Sequence, residues 1–425
     1  MNFLSKLFYN HFFRHNTLVL VVYFISSVLN FFFHMLMGRW LGPSNYGVYN
    51  SLLSILWVAN LPLLSITSTS AKYFSYYGSL ENTEIYSSLF RKIFQFVTIL
   101  LFCEAALSPL LLILLKNFLK LGSYFPLLIV ILTIWAQTYL FYFIGILQGL
   151  KLFEKYSIVS IINDTAKIAI CLILFQYGLQ VNAPLIAIFF SIIITSVLSL
   201  LIIKKSVGIE FKTTAVSSIT FKELFMFYAP ACGVVFLFSI LTNSDTLILK
   251  HYFDSSEVGN VAVAGVLGKN LLLFSNAIVF VLFPEISRLD AQQKDTLSVL
   301  LRTIFYCLGM AFFFTVGFFL FGDDLIKLLF GTQYLTAYKY LKIYSFTLLP
   351  YVPLQILIYY FMAKRDFGIS VPVLISFLFF LIILKTVPKT PVIILLVFGI
   401  AGIIALAGTS FLIIARKKYK PVLQQ

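Results

Sequence analysis

Charge is what this sequence has least of. Only 11% of its 425 residues are Asp, Glu, Lys or Arg, against about 25% in a soluble domain, so a water-soluble globular fold is excluded. Its four cysteines, Cys103, Cys171, Cys232 and Cys307, lie inside apolar runs and form no C-x-x-C pair. That excludes a disulfide framework or a zinc site of that pattern and leaves them as small hydrophobes. The four histidines make no H-E-x-x-H and no D-x-D occurs, so neither zinc hydrolysis nor metal-nucleotide glycosyl transfer finds its residues. Gly268-Lys269 is a poor phosphate loop, because Val263 stands at the first glycine position and Asn270 replaces Ser or Thr. No catalytic residue, metal or cofactor is expected.

What the chain has in quantity is apolar length. Sixty per cent of it is hydrophobic, with 47 phenylalanines and 24 tyrosines. Runs of about 20 apolar residues recur, the length that spans roughly 30 Å of hydrocarbon as helix. Barrel strands would instead alternate over about ten residues. The reading is an all-α polytopic membrane protein of about twelve transmembrane helices. Six lie in an N-terminal lobe (1–203) and six in a C-terminal lobe (224–425), with a cytoplasmic link at 204–223. The tenth span, Ile343–Met362, contains Pro350 and Pro353 and should kink or break.

The net charge of +15 reads as a positive-inside bias rather than a nucleic-acid surface. Counted on alternate sides of the twelve spans, Lys and Arg number twenty against nine, with Lys167 and Lys269 inside spans. The richer side places both termini in the cytoplasm. The longest polar links, Lys72–Lys92, Lys204–Glu223 and Glu285–Arg302, fall there too and are too short for a separate domain. No cleaved signal peptide is evident. Residues 1–14 can share Phe3, Leu4, Leu7, Phe8 and Phe12 on one face of a short helix lying on the membrane surface.

Between the first two spans lies Gly38-Arg39-Trp40-Leu41-Gly42-Pro43-Ser44-Asn45-Tyr46-Gly47-Val48-Tyr49, whose glycines and proline predict a tight turn. A weaker echo follows 212 residues later, where Ser44-Asn45-Tyr46-Gly47 meets Ser256-Glu257-Val258-Gly259 and Ser75 meets Ser287. Halves of six spans each would share one orientation about an axis along the membrane normal.

The turn resembles the G-R-x-L-G-P-x-x-[YF]-G-x-[YF] signature of Wzx-type flippases, the O-antigen and capsule repeat-unit transporters of the MOP superfamily, which also holds MATE exporters and lipid II flippases. Asp245, Val258-Gly259 and Phe283-Pro284-Glu285-Ile286-Ser287 are similar to the family's seventh and eighth spans, although Asn260 departs from the tyrosine often found there. The resemblance implies a bacterial inner-membrane flippase moving undecaprenyl-diphosphate-linked oligosaccharide between leaflets by alternating access. Spans one, two, seven and eight would line the cavity. The implied partners are that lipid-linked sugar, membrane lipids and the polymerase machinery. Two rivals stand beside it: a cation-coupled MATE-like exporter, and a membrane oligosaccharide polymerase, which would need a long external loop.

Charges inside spans need a reason, since each costs about 2.5–3.5 kcal/mol near the bilayer centre. Asp164 and Lys167, three apart, share a helix face and either neutralise each other or serve the cavity. Lys269 has no acid at i±3 or i±4 and is a candidate contact for the anionic diphosphate, or else pairs with another helix, for example with Glu104. Arg39 and Lys72, at opposite ends of the second span, are further substrate candidates; Arg39 could equally snorkel to headgroups. Glu104, Asp164 and Asp245 are ion-coupling candidates, Asp245 with Asn243 and Ser244 near the outer end of span seven, where interface solvation explains them almost as well. Tyr139, Tyr142, Tyr359 and Tyr360 are among the aromatics able to stack on sugar rings.

Overall fold

A computed structural model describes residues 11–77, 83–208, 220–334, 336–364 and 366–419. The expected surface helix at 1–14 falls mostly outside these. Apolar runs without internal partners for their backbone groups must satisfy those groups locally, and every regular element among the described residues is helical. In order they are α1 (His11–Tyr77), α2 (Thr83–Phe118), α3 (Phe125–Gly149), α4 (Phe153–Gln176), α5 (Asn182–Val207), α6 (Phe221–Tyr252), α7 (Ser255–Ala291), α8 (Leu297–Phe330), α9 (Ala337–Leu348), α10 (Tyr351–Ala363), a 3₁₀ turn (Phe367–Ile369), α11 (Ser370–Thr386) and α12 (Pro391–Tyr419). Ten helices among the described residues are long and apolar enough to cross a membrane. That number takes the two arms of α1 together, counts α9 and α10 as one span and omits α7.

The turn expected over residues 38–49 is narrower than its composition suggested. Helix continues through Gly38 and Gly47, and only Gly42 leaves it, at φ 69° and ψ 170°. That region is closed to side chains other than glycine's, so one residue breaks the 67-residue run of α1. The expected break in span ten is present, with α9 ending at Leu348 and α10 starting at Tyr351 around Pro350. Two expected links are largely helix instead: α1 runs on to Tyr77 and α2 starts at Thr83, while α7 reaches Ala291 before α8 starts at Leu297.

Two compact units form. The first comprises Met1–Met37 and Ile55–Cys232, the second Gly38–Ser54 and Gly233–Gln425, bounds that differ from lobes at 1–203 and 224–425. In the first unit, α5 packs on α3 and α4, and α2 on α3. Small residues set how closely the second arm of α1 approaches α3: Gly145 lies over Thr67 and Ser70, Gly149 over Ala71 and Phe74. Thr67 Oγ1 donates to the Phe141 carbonyl at 2.8 Å across this contact. The unit's aromatic centre is Phe90, Phe94, Tyr139, Tyr142 and Phe143, with Tyr142 fully buried and donating to the Phe90 carbonyl at 2.8 Å.

In the second unit, α9 and α10 sit among α7, α8 and α12, and α11 packs on α12. Tyr344 fits over Gly268, Thr347 against Gly399 and Tyr351 against Gly402. The same unit holds a reciprocal contact. A Cβ on Gly47 would overlap the Ser255 carbonyl oxygen, and a Cβ on Gly259 would overlap that of Pro43. Both Pro43 and Ser255, and Gly47 and Gly259, are 212 residues apart.

Candidate functional site

Among the described residues, inward-facing lysines are paired with aspartates at two places, one in each unit. In the first unit, Lys167 and Asp164 on α4 form an ion pair of 3.1 Å, with about a tenth of each side chain exposed. Their i, i+3 spacing brings them together on one helix face. The first arm of α1 supplies the rest. Asn30 Oδ1 accepts from Lys167 Nζ at 2.9 Å, and the Phe33 ring lies 5.0 Å from the same nitrogen. A buried ammonium is thus balanced by a carboxylate, an amide oxygen and a π-face.

In the second unit, Lys269 of α7 meets Asp245 of α6. Its Nζ lies 3.3 Å from Asp245 Oδ1 and 3.4 Å from Asn243 Oδ1. Asp245 is fully enclosed, while 26% of the Lys269 side chain remains exposed. Each acceptor is itself anchored. Tyr344 of α9 donates its hydroxyl to Asp245 Oδ2, and Thr246 Oγ1 lies 3.4 Å from the same oxygen. Asn243 Nδ2 donates to the Ser239 carbonyl at 2.9 Å.

Several sequence expectations change here. Lys269 pairs with Asp245, not Glu104. Asp245 does not rely on interface solvation, because it is 0% exposed. Ser244, grouped with it as a possible cation ligand, turns its hydroxyl to the Leu241 carbonyl at 3.2 Å. No cluster of three His, Cys, Asp or Glu able to hold a metal occurs among the described residues. Glu104 accepts from Thr138 Oγ1 at 3.0 and 3.3 Å, a neutral partner on α3.

Arg39 has a structural partner. Its Nε donates to the Leu329 carbonyl at 2.8 Å and its Nη2 to the Leu328 carbonyl, two of the acceptors that the end of α8 leaves without intrahelical donors. The guanidinium therefore caps α8, and favours its dipole there. Around it, Gln333 Nε2 donates to the Gly38 and Arg39 carbonyls at 3.1 Å each, and Tyr334 Oη to Gly38 O at 2.6 Å. Burial pushes the Tyr334 phenol well above its ordinary value, so it stays a donor. Lys72 is exposed, with Nζ 5.3 Å from the neighbouring Tyr73 ring.

Of the tyrosines considered for sugar stacking, Tyr142 is sealed in the first unit's core. Tyr139 stacks on Phe94 at 5.3 Å, and Tyr360 is buried with its hydroxyl 2.9 Å from Thr296 Oγ1. Asn30, Phe33, Thr246 and Tyr344 of the clusters escaped the sequence reading. Asn30 carried a signal, an amide in an apolar run; Tyr344, one of 24 tyrosines, carried none.

A family model described as polysaccharide biosynthesis protein matches residues 12–290. Among solved structures, an inward-facing multidrug resistance MATE transporter of the MOP superfamily is similar at 12% identity and TM-score 0.76, covering 93% of this chain and 96% of its own. The lipid II flippase MurJ in an inward closed conformation is similar at 17% identity and TM-score 0.70, over 93% and 87%. The eukaryotic MATE transporter AtDTX14 follows at 13% identity and TM-score 0.66, over 96% and 95%. None of the curated proteins matches the chain. Matched over well above half its length, this chain belongs to the polysaccharide biosynthesis protein family, and it shares its fold with MATE transporters and MurJ.

Proposed function

We propose that this protein is a flippase, not an enzyme, that moves undecaprenyl-diphosphate-linked oligosaccharide across the bacterial inner membrane by alternating access. The observation that carries the reading is Lys269. An ammonium in a membrane-spanning helix is tolerated only where it meets protein or water. Lys269 keeps a quarter of its side chain open while its counter-ion is fully enclosed. A cation with an open side in a family of polysaccharide biosynthesis suits an anionic, lipid-linked sugar. Lys72 and Lys167 remain candidate contacts, Lys167 the weaker because it is enclosed with Asp164. Arg39 would meet cargo only by releasing the end of α8.

In this reading the Gly42 break divides α1 into two spans, α7 forms another and α9 with α10 makes one broken span, which with the other eight helices gives twelve. Two lobes of six follow, with both termini cytoplasmic. Coupling to a proton or sodium would use Glu104, Asp164 or Asp245. Glu104 is the best placed, since its observed partner is a hydroxyl rather than a cation. Partners are the lipid-linked oligosaccharide, surrounding lipids and the machinery that polymerises the exported units.

The MATE-like exporter reading draws on the fold likeness. With its charge balanced by Asp245, Lys269 offers a cation cargo no acceptor, only an N–H donor suited to an anionic oxygen. The polymerase reading lacks its loop, because the links between helices among the described residues are only a few residues long. Deletion followed by leaflet-resolved analysis of undecaprenyl-linked glycans tests the proposal. Complete units should accumulate on the cytoplasmic face. Units reaching the outer leaflet but left unpolymerised would refute a flippase.

A further inference from the structure

The polar cluster of the second unit is built in two tiers, and the outer tier bears on how cargo is held. A lysine ammonium has three N–H donors. Two of Lys269's point to Asp245 Oδ1 and Asn243 Oδ1, at 3.3 and 3.4 Å. These are long for charge-assisted bonds, which run about 2.7–2.9 Å. The third donor is left for the open side of the side chain. Asp245 has no exposure of its own, and its other oxygen is held by Tyr344, a residue 99 positions further along the chain on another helix. Tyr351, the other phenol near Asp245, donates instead to the Phe398 carbonyl at 2.8 Å. If both carboxylate oxygens were free, the ammonium would be drawn into a two-oxygen grip. With one oxygen held by Tyr344, the lysine is held by the other alone.

We propose that Tyr344, acting through Asp245, is a positioning residue that keeps Lys269 loosely paired and presents one N–H of a charge-balanced ammonium to a single anionic oxygen of the cargo's diphosphate. The proposal rests on the reading of Lys269 as a cargo contact. It adds that the site is neutral overall, so that it recognises a phosphate oxygen by one directed bond and releases it readily. Asp245 is then a brake on binding rather than a carrier of the coupling ion.

The test is a double-mutant cycle on the full chain in nanodiscs, with geranylgeranyl diphosphate as probe and geranylgeraniol as the uncharged control. Tyr344→Phe removes one hydroxyl and should weaken diphosphate binding about three- to tenfold without changing binding of the alcohol. Asp245→Asn should tighten diphosphate binding by about tenfold or more. In the Asp245→Asn background, Tyr344→Phe should have no further effect, because its route to Lys269 is gone. Equal weakening in both backgrounds would make Tyr344 merely structural and overturn the proposal, as would no effect in either or weaker binding by Asp245→Asn. Should Tyr344→Phe fail to accumulate, Asn243→Ala reads the other anchor: several-fold weaker diphosphate binding is expected, and wild-type binding overturns the arrangement. Lys269→Ala separates the layers. If it binds the diphosphate as wild type does, the cargo-contact reading itself fails, whatever Tyr344 does.

Discussion

Gly47 and Gly259 stand where the start of the second arm of α1 crosses the start of α7, and each lies on the backbone of the other's helix: Gly47 on Ser255, Gly259 on Pro43. The relation is reciprocal, and it joins the two stretches that sequence comparison aligns at 212 residues. Neither glycine is there for φ, since both are helical. They are there because backbone meets backbone with no room for a methyl group.

A methyl at either position must therefore push the helices apart. Gly47→Ala and Gly259→Ala should each destabilise by about 1–3 kcal/mol, the usual cost of overpacking. The two should be alike, and the double variant should cost less than their sum because one displacement relieves both overlaps. Thermal unfolding in nanodiscs measures this; two variants as stable as wild type would contradict the contact.

Gly42 differs, being limited by its dihedral angles rather than by neighbours. Its nearest non-local atom to an added Cβ is Gln333 Oε1 at 3.7 Å, ordinary contact distance. Gly42→Ala should still cost on the order of 1–3 kcal/mol from backbone strain alone. Truncating Gln333 to Ala should give no rescue, and recovery on that truncation would show that sterics, not φ, set the requirement.

The Asp164–Lys167 pair predicts an asymmetry. Lys167→Met leaves a buried carboxylate uncompensated and should cost about 3–5 kcal/mol, whereas Asp164→Leu with Lys167→Met should recover most of it. Membrane abundance and thermal unfolding of the single and double variants decide the point. Equal losses in both would mean the pair is a ligand site rather than a neutralised structural element.

Arg39 should reveal itself by hydrogen exchange. If it caps α8, then Arg39→Gln speeds amide exchange through the last turn of α8 and the 331–334 link, and Arg39→Lys restores it only in part because an ammonium lacks the two-pronged fork. Exchange unchanged in Arg39→Gln would return Arg39 to the list of residues free to meet cargo.

How much of this was legible beforehand depends on distance along the chain. Asp164 and Lys167 were readable because a helix turns three residues into neighbours. The break near Pro350 was readable because proline lacks a donor and clashes with the preceding turn. The choice of Asp245 for Lys269 was not, although both lie within one helical hairpin. Which faces of α6 and α7 meet depends on packing against α9, and an apolar run has little pattern to state it. Arg39 was harder still: its carbonyls belong to residues 289 and 290 positions away, and backbone acceptors leave no trace in composition. Tyr142 and Tyr360 show the converse: polar aromatics of the kind that stack on sugars, closed inside a core.

The grouping of residues 38–54 with the C-terminal unit has a consequence for biosynthesis. Tyr46 and Tyr49 are fully buried, and Gly38 and Tyr46 lie against Phe330, the last residue of α8. About 280 residues must be made after Ser54 before that partner exists. At about 5–20 residues per second, the segment waits roughly 15–55 s before Gly38 and Tyr46 can pack against Phe330. Truncated chains that stop before α8 should therefore present this stretch to whatever quality control surveys the bilayer.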